Sequence, residues 1–282
     1  MIPHQTGRVT SGDASIFYRR LGRSGGVPVL LVHGLSYFSY DWLPIAQKLA
    51  TGREVIAMDM RGFGDSAWSP AQDYAIPTMA ADIVSLLDHL GWHRVVLSAH
   101  SMGGRSATYA AAKNADRFEG LVLVDFSPET APAGARRVAH AVANLPERFD
   151  SIDDAMRQLG DSDRARVEAY VEEIDGAFGI KRDTYFADQF RRSLQTGQRP
   201  SLGVDLWQLI REVRCSILSL RGARSDMYAP ETIPKMKAAN PRLQVVEIDA
   251  GHDIGGDNPE AYVAAVESFL SELSVQDTRP DA

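Results

Sequence analysis

Hydrophobic positions follow two periods along this chain. Short apolar runs of strand length are separated by longer segments with helical spacing, which is typical of a mostly parallel sheet with helices on both faces. The predicted strands are Val29–Val32, Val55–Asp59, Val95–Ser98, Leu121–Asp125, Ile217–Leu220 and Val245–Ile248. The predicted helices are Trp42–Ala50, Thr78–Leu90, Ser101–Lys113, Pro230–Ala239 and Pro259–Leu273. A turn pair, Gly12-Asp13, divides residues 7–20 into two more strands, so we expect an eight-stranded sheet with an antiparallel edge.

The alternation of strands and helices stops after Asp125. From Pro128 to Trp207 no strand is predicted, and apolar residues follow helical spacing, as at Ile152, Ala155 and Met156. An insertion of this length usually shapes a binding site. We therefore predict an α/β core domain from residues 1–127 and 208–274, a helical cap insertion over 128–207, and a disordered tail over 275–282.

Composition narrows the classes of partner. The chain has 282 residues and a formal charge of −7, so a nucleic-acid partner is not expected. It shows no apolar stretch of about 18 residues and no apolar region near the N-terminus, so neither a membrane partner nor export is expected. A single cysteine suits the reducing cytoplasm. We expect a cytoplasmic monomer or homodimer that acts on a small molecule.

Ser101 is the strongest candidate for chemistry. It lies between the apolar run 95–97 and a helix rich in small residues. A serine in so sharp a turn needs a positive φ, and its neighbours two positions away on either side must be small. Ala99 and Gly103 meet that requirement, although alanine replaces the first glycine of the Gly-x-Ser-x-Gly pattern. The pattern predicts a nucleophile elbow.

Two other turns supply groups that a serine nucleophile needs. His33-Gly34-Leu35 follows a predicted strand, and we predict that the N–H groups of Leu35 and Met102 form an oxyanion hole. His33 itself is expected to brace the loop. His252 follows the last predicted strand, and a histidine can take the Ser101 proton and return it to the leaving group.

The acid that orients His252 has two candidates. Asp125 ends the strand after the elbow, and Asp226 follows the next strand; both are expected to face the cavity. No set of His, Asp and Glu has metal-ligand spacing, so neither a metal nor another cofactor is expected. The residues alone leave both acids open.

Together, His33-Gly34, the loop 59–66, the Ser101 elbow and Gly251-His252 resemble the α/β-hydrolase family over nearly the whole chain outside the cap. The resemblance implies the α/β-hydrolase fold, a scaffold role for the loop 59–66, and hydrolysis of an ester, amide or lactone through an acyl-enzyme with a Ser-His-Asp triad. In the commoner arrangement of this family the acid lies three residues after Gly222, where this chain has Ser225.

A narrower likeness covers residues 100–128 and 220–222, which are similar to amide hydrolases of this family that act on a dicarboxylate. In those enzymes the acid lies at the position of Asp125, which favours Asp125 over Asp226. They bind substrate through cap arginines, so Arg136 or Arg137 is a candidate here. The Arg-Tyr pair that also binds their substrate has no match in this cap, so the substrate stays open.

Aromatic residues after the His-Gly turn complete the predicted site. We expect Tyr37 or Phe38 to face the ligand and Trp42 to lie in the core. A serine at position 101 argues against the hydrolases of this fold that use an aspartate nucleophile. Two alternatives stay open: a carbon–carbon bond hydrolase of ring-cleavage products, although Asp253 stands where such enzymes place tryptophan, and a hydrolase-like ligand receptor.

Overall fold

The computed structural model describes residues 2–277, with side chains through Ser274. Eleven strands lie in this part of the chain: β1 Gln5–Ser11, β2 Ala14–Gly22, β3 Val29–Val32, β4 Glu54–Met58, β5 Val95–His100, β6 Phe118–Val124, β7 Arg148–Phe149, β8 Val171–Ile174, β9 Ala177–Ile180, β10 Ser216–Gly222 and β11 Leu243–Ile248. Eight of them form one sheet in the order β1-β2-β4-β3-β5-β6-β10-β11. The pairings β1 to β2 and β2 to β4 are antiparallel and the others are parallel. The predicted α/β fold with a mostly parallel eight-stranded sheet is confirmed.

Eleven α-helices lie in residues 2–277: α1 Leu43–Leu49, α2 Ile76–Leu90, α3 Met102–Lys113, α4 Pro132–Asn144, α5 Ile152–Leu159, α6 Arg164–Tyr170, α7 Thr184–Thr196, α8 Leu206–Glu212, α9 Thr232–Ala239, α10 Ile254–Asp257 and α11 Pro259–Asp277. Two 3₁₀ helices cover Ser39–Trp42 and Ala115–Arg117. Helix α11 continues to Asp277, so the start of the predicted tail at residue 275 is wrong, and residues 278–282 lie outside the described part of the chain. None of the helices within 2–277 is both long and apolar enough to cross a lipid bilayer.

The central strands were predictable because helices cover both faces of the sheet. All four residues of β3 are inaccessible to solvent. Leu30 and Val32 pack into the apolar cluster on one face, and Val29 and Leu31 pack into the cluster on the other. A strand buried on both faces reads as a continuous apolar run rather than an alternating one.

The segment 128–207 is not entirely helical, so that part of the prediction is wrong. Strands β7, β9 and β8 form a small antiparallel sheet between helices α4 to α7. These strands have two to four residues, too few for a period to be recognised. Asp175 and Gly176 connect β8 to β9 with φ values of 51° and 71°, and an Asp-Gly pair of this kind is a hairpin signal that the sequence did contain.

Candidate active site

Ser101 lies in the turn between β5 and α3. Its backbone has φ 50° and ψ −115°, a conformation that costs a non-glycine residue about 1–3 kcal/mol. A methyl group on Gly103 would stand 2.4 Å from the His33 carbonyl oxygen, so only glycine lets the helix approach the turn after β3 here. The Ser101 side chain makes no capping hydrogen bond to α3, which leaves its hydroxyl for other partners.

His252 joins Ser101 to an acidic residue. It lies in the turn between β11 and α10. Its Nε2 is 2.9 Å from Ser101 Oγ, and its Nδ1 is 2.6 Å from Asp125 Oδ2. The chain of hydrogen bonds connects residues from three separate turns of the sheet. Of the two acids predicted, the structure brings Asp125 to the imidazole.

The Asp125 carboxylate is buried and accepts two further hydrogen bonds. Asp125 follows β6 with φ 44°, a second strained non-glycine residue, and its side chain is sealed from solvent. The Gly222 N–H donates to Oδ1 over 2.9 Å, and the Ser225 hydroxyl donates to Oδ2 over 2.5 Å. Ser225 stands three residues after Gly222, where the commoner family arrangement has the acid. Here Ser225 instead donates a hydrogen bond to Asp125.

Asp226 is engaged elsewhere. Its two oxygens accept 2.7 Å hydrogen bonds from Nε and Nη2 of Arg137, and this pairing lowers the pKa of the Asp226 carboxyl. The same ion pair uses Nε and Nη2 of the Arg137 guanidinium. Arg136 is exposed. No hydrogen bond or ion pair of the described residues joins either arginine to Ser101, His252 or Asp125, so substrate binding by these arginines stays a prediction.

Two backbone N–H groups flank the serine. A methyl group on Gly34 would stand 3.1 Å from Ser101 Cβ, so the 33–36 loop lies directly against the Ser101 turn. Met102 begins α3, where the first N–H groups have no partner in the helix. Within residues 2–277, neither the Leu35 nor the Met102 N–H donates a backbone hydrogen bond. Both predicted oxyanion donors are therefore available.

Two buried histidines support this arrangement. His33 Nδ1–H donates to the Gly34 carbonyl over 2.8 Å and its Nε2 accepts from Met60 N–H over 2.9 Å, which is the predicted bracing role. Burial lowers the His33 pKa to about 4. His100 donates its Nε2–H to the His252 carbonyl over 2.9 Å, and burial, reinforced by His252, holds the His100 pKa well below its usual range. Neutral His100 thus ties the His252 turn to β5.

A cavity of about 880 Å³ lies beside the 33–36 loop. Ser36, Tyr37 and His100 are among the described residues that line it, whereas Ser101 and His252 do not line it, so the cavity adjoins Ser101 rather than covering it. Tyr37 is half-buried and packs edge-on against His100 with ring centroids 5.1 Å apart. The cavity thus extends to His100, the residue that precedes Ser101.

Phe38 was expected as an alternative ligand contact, and that expectation is wrong. Its side chain is fully buried, stacked on Tyr40 and packed against Tyr170. The extended backbone at Phe38, with φ −154° and ψ 175°, sends consecutive side chains to opposite sides, so Tyr37 faces the cavity while Phe38 enters an apolar cluster. Trp42 is 6% exposed and lies in the core, as predicted.

The fold and the hydrogen-bonded chain at the turns after β5, β6 and β11 correspond to a known class of protein. The α/β-hydrolase fold family model matches residues 27–259, and the chain belongs to that family.

Several relatives resemble the chain over almost its whole length. N-formylmaleamate deformylase from Pseudomonas putida is 30% identical over 266 residues, which are 94% of this chain and 96% of the relative. 2-(Acetamidomethylene)succinate hydrolase from Mesorhizobium japonicum is 26% identical over 93% of this chain and 94% of the relative. The crystal structure of E-2-(acetamidomethylene)succinate hydrolase covers 95% of this chain and all of its own, with a TM-score of 0.83 and 25% identity. Other relatives are named as esterases and lipases.

Proposed function

We propose that this protein is a serine hydrolase that cleaves a small-molecule amide, ester or lactone through an acyl-enzyme. The observation that carries the proposal is the continuous chain of hydrogen bonds from Ser101 Oγ through His252 to Asp125. In this proposal Ser101 is the nucleophile, His252 is the general base and then the general acid, and Asp125 orients the imidazole.

The proposed reaction begins when Ser101 Oγ attacks the carbonyl carbon of the substrate. As the Oγ–C bond forms, the hydroxyl proton passes to His252 Nε2, and the carbonyl oxygen becomes an oxyanion that accepts hydrogen bonds from Leu35 and Met102 N–H. The intermediate then collapses. The bond to the leaving group breaks, the leaving group takes the proton from Nε2, and the acyl group stays on Ser101.

Water repeats these steps on the acyl-enzyme. It gives one proton to His252 Nε2 as its oxygen bonds to the acyl carbon, and that proton returns to Ser101 Oγ when the acid leaves. Asp125 accepts a hydrogen bond from Nδ1–H of His252 throughout, which keeps the imidazole in the tautomer whose Nε2 can accept the serine proton.

Among the three bond types, the amide is the first choice. N-formylmaleamate and (acetamidomethylene)succinate, the compounds in the names of two relatives that match almost the entire chain, both contain an N-acyl group. We further propose that the 128–207 segment acts as a cap, because two of its residues contact the chain next to Ser101: Arg182 donates to Ser36 Oγ, and Tyr170 packs against Phe38.

The test is a turnover screen of the wild type and Ser101→Ala on N-acyl amides, carboxylated enamides, lactones and aryl esters. We expect multiple turnover of at least one class by the wild type, and a loss of about 10³-fold or more in Ser101→Ala with an unchanged melting temperature. Full activity in Ser101→Ala would refute the proposal. Ligand binding with only a single turnover would favour the receptor alternative.

A further inference from the structure

The loop that carries the proposed oxyanion donor Leu35 is a tight turn with a strained residue. The Tyr37 N–H donates to the Gly34 carbonyl over 3.3 Å, which closes a four-residue turn. Ser36, the third residue of this turn, has φ 66°, whereas Leu35 before it does not have positive φ. This is the pattern of a type II β-turn, whose third position favours glycine or asparagine because other side chains are strained there. A serine at this position therefore needs a compensating contact.

Arg182 supplies such a contact from the 128–207 segment. Its Nη1 donates to Ser36 Oγ over 3.0 Å. Arg182 is 3% exposed and forms no ion pair within the described part of the chain. A hydrogen bond from a charged donor is stronger than one between neutral groups, and surroundings of low dielectric strengthen it further. The bond can therefore hold Ser36 at positive φ.

The backbone on both sides of Arg182 is attached to the core. Residues 181–183 pair with residues 62–64, the loop after β4, through two backbone hydrogen bonds of 2.7 and 2.8 Å and an antiparallel bridge between Phe63 and Arg182. The guanidinium thus reaches Ser36 from a part of the segment that is itself bonded to the core, and the bond ties two core loops together.

We propose that Arg182 is a positioning residue for the oxyanion hole: its hydrogen bond keeps Ser36 in the left-handed conformation, and the turn then presents the Leu35 N–H to the substrate carbonyl oxygen. Arg182 acts through Ser36 and contacts no reacting atom. Without the bond Ser36 can leave the strained region, and the peptide group between Leu35 and Ser36 must then rotate. This inference rests on the proposed function, since it concerns the oxyanion hole of the same site.

Two substitutions at position 36 that differ by one methyl group have opposite expected results. Alanine removes the hydroxyl acceptor and keeps the strain, whereas glycine adopts φ 66° without strain. With p-nitrophenyl acetate as a neutral probe, Ser36→Ala should lower kcat by about 10- to 100-fold, since complete loss of an oxyanion donor costs about 10²–10³-fold. Ser36→Gly should keep kcat within about 3-fold of the wild type. Acylation and deacylation both pass through an oxyanion, so kcat reports on the hole whichever step is slower.

Glycine at position 36 should also rescue the loss of Arg182. Arg182→Met fills the space with a flexible apolar side chain that has no N–H donors, and it should lower kcat about as much as Ser36→Ala. Adding Ser36→Gly to Arg182→Met should bring kcat back to within about 5-fold of the wild type, because the turn then needs no support. A purely structural role of Arg182 predicts no such rescue, and a role in binding a charged substrate would leave the neutral probe unaffected.

Gln72 provides the control pair, because it is another non-glycine residue at positive φ, 52°, and its side chain is exposed. Gln72→Ala and Gln72→Gly should both keep the wild-type kcat. Melting temperatures of all variants separate misfolding from a displaced turn. Equal kcat in folded Ser36→Ala and Ser36→Gly proteins, or no recovery in the folded Arg182→Met, Ser36→Gly protein, would overturn the proposal.

Ser101→Ala in the same assay distinguishes failure of this inference from failure of the proposed function. Release of nitrophenol at the wild-type rate by Ser101→Ala would refute the nucleophile. Full activity of Ser36→Ala together with an inactive Ser101→Ala would overturn the role of Arg182 and leave the nucleophile in place.

Discussion

At the scale of single residues, two of the residues proposed to act in catalysis have a strained backbone. Ser101 and Asp125 both have positive φ, as do three other non-glycine residues of the described chain, Ser36, Gln72 and Asp175. Such conformations persist only where the surrounding structure holds them. The small neighbours Ala99 and Gly103 made the Ser101 turn predictable from the sequence. The residues alone left Asp125 and Asp226 open, because both follow strands whose ends meet at one edge of the sheet, and only the resemblance to amide hydrolases favoured Asp125.

Replacing the two acids separately tests their assignment. Asp125→Asn should lower kcat by about 10⁴-fold, because an amide in place of the carboxylate favours the wrong imidazole tautomer. Asp226→Asn weakens a largely exposed ion pair with Arg137 and should change kcat by less than about 3-fold. Steady-state kinetics of both variants decide the matter, and a larger loss in Asp226→Asn would contradict the assignment.

The buried imidazole of His33 makes stability depend on pH. Its pKa in the folded protein, about 4, lies below the ordinary value of 6.5, so the unfolded chain binds the proton first as pH falls and stability is lost between those values. Glutamine does not titrate in this range, so the His33→Gln protein lacks this pH dependence. The free-energy difference of unfolding between wild type and His33→Gln should therefore shrink by about 2 kcal/mol from pH 7 to pH 5.

Urea unfolding at the two pH values measures this difference. Asp59 has the opposite tendency, since burial raises its pKa to about 6, but it is present in both proteins and its effect cancels. A difference that stays constant between pH 7 and pH 5 would mean that the His33 pKa is not lowered.

At the scale of elements, the sequence was informative where burial is complete and uninformative where elements are short. Strands β3 to β6 were predictable because covered strands are continuous apolar runs. Strands β7 to β9 were missed because two to four residues carry no recognisable period. The burial of Phe38 depends on an aromatic cluster with Tyr170, which is distant in sequence, so no local pattern could reveal it.

The approach of α3 to the 33–36 loop depends on Gly103. In Gly103→Ala the new methyl group would meet the His33 carbonyl at 2.4 Å, so the helix and the loop must separate. We expect a loss of about 1–3 kcal/mol in the free energy of unfolding and at least about 10²-fold in kcat, because the proposed oxyanion donors, Met102 N–H and Leu35 N–H, would be moved apart. Urea unfolding and steady-state kinetics measure the two effects.

Gly26→Ala is the control for that substitution. A methyl group at Gly26 has its nearest neighbour at 3.8 Å, and we expect wild-type stability and kcat. Wild-type kcat in Gly103→Ala would show that the close approach is not needed for turnover.

At the scale of the whole molecule, an ion pair fixes the 128–207 segment to the core. Arg166 of α6 binds both oxygens of Asp41 at 2.6 and 3.1 Å, and its guanidinium lies over the rings of Phe38 and Tyr170. The ion pair joins residues that are 125 positions apart in sequence. The sequence predicted an insertion at this place, but side chains that meet only after folding determine how it is seated.

Removing Arg166 should loosen this attachment. Arg166→Ala leaves Asp41, whose pKa burial raises, without its cation, and we expect a loss of about 3 kcal/mol in the free energy of unfolding. The exposed Arg164→Ala should cost less than about 0.5 kcal/mol. Urea unfolding and limited proteolysis within the segment compare the two, and equal stability would contradict a structural role for the pair.

The most direct test of the account is the identity of the atom that carries the acyl group. Wild-type protein mixed with p-nitrophenyl acetate and quenched with acid within the first turnover should gain the mass of one acetyl group, and peptide mass spectrometry should locate it on Ser101. Ser101→Ala should gain none and release nitrophenol at the rate of free buffer. Acetyl on another residue, or undiminished nitrophenol release by Ser101→Ala, would contradict the account.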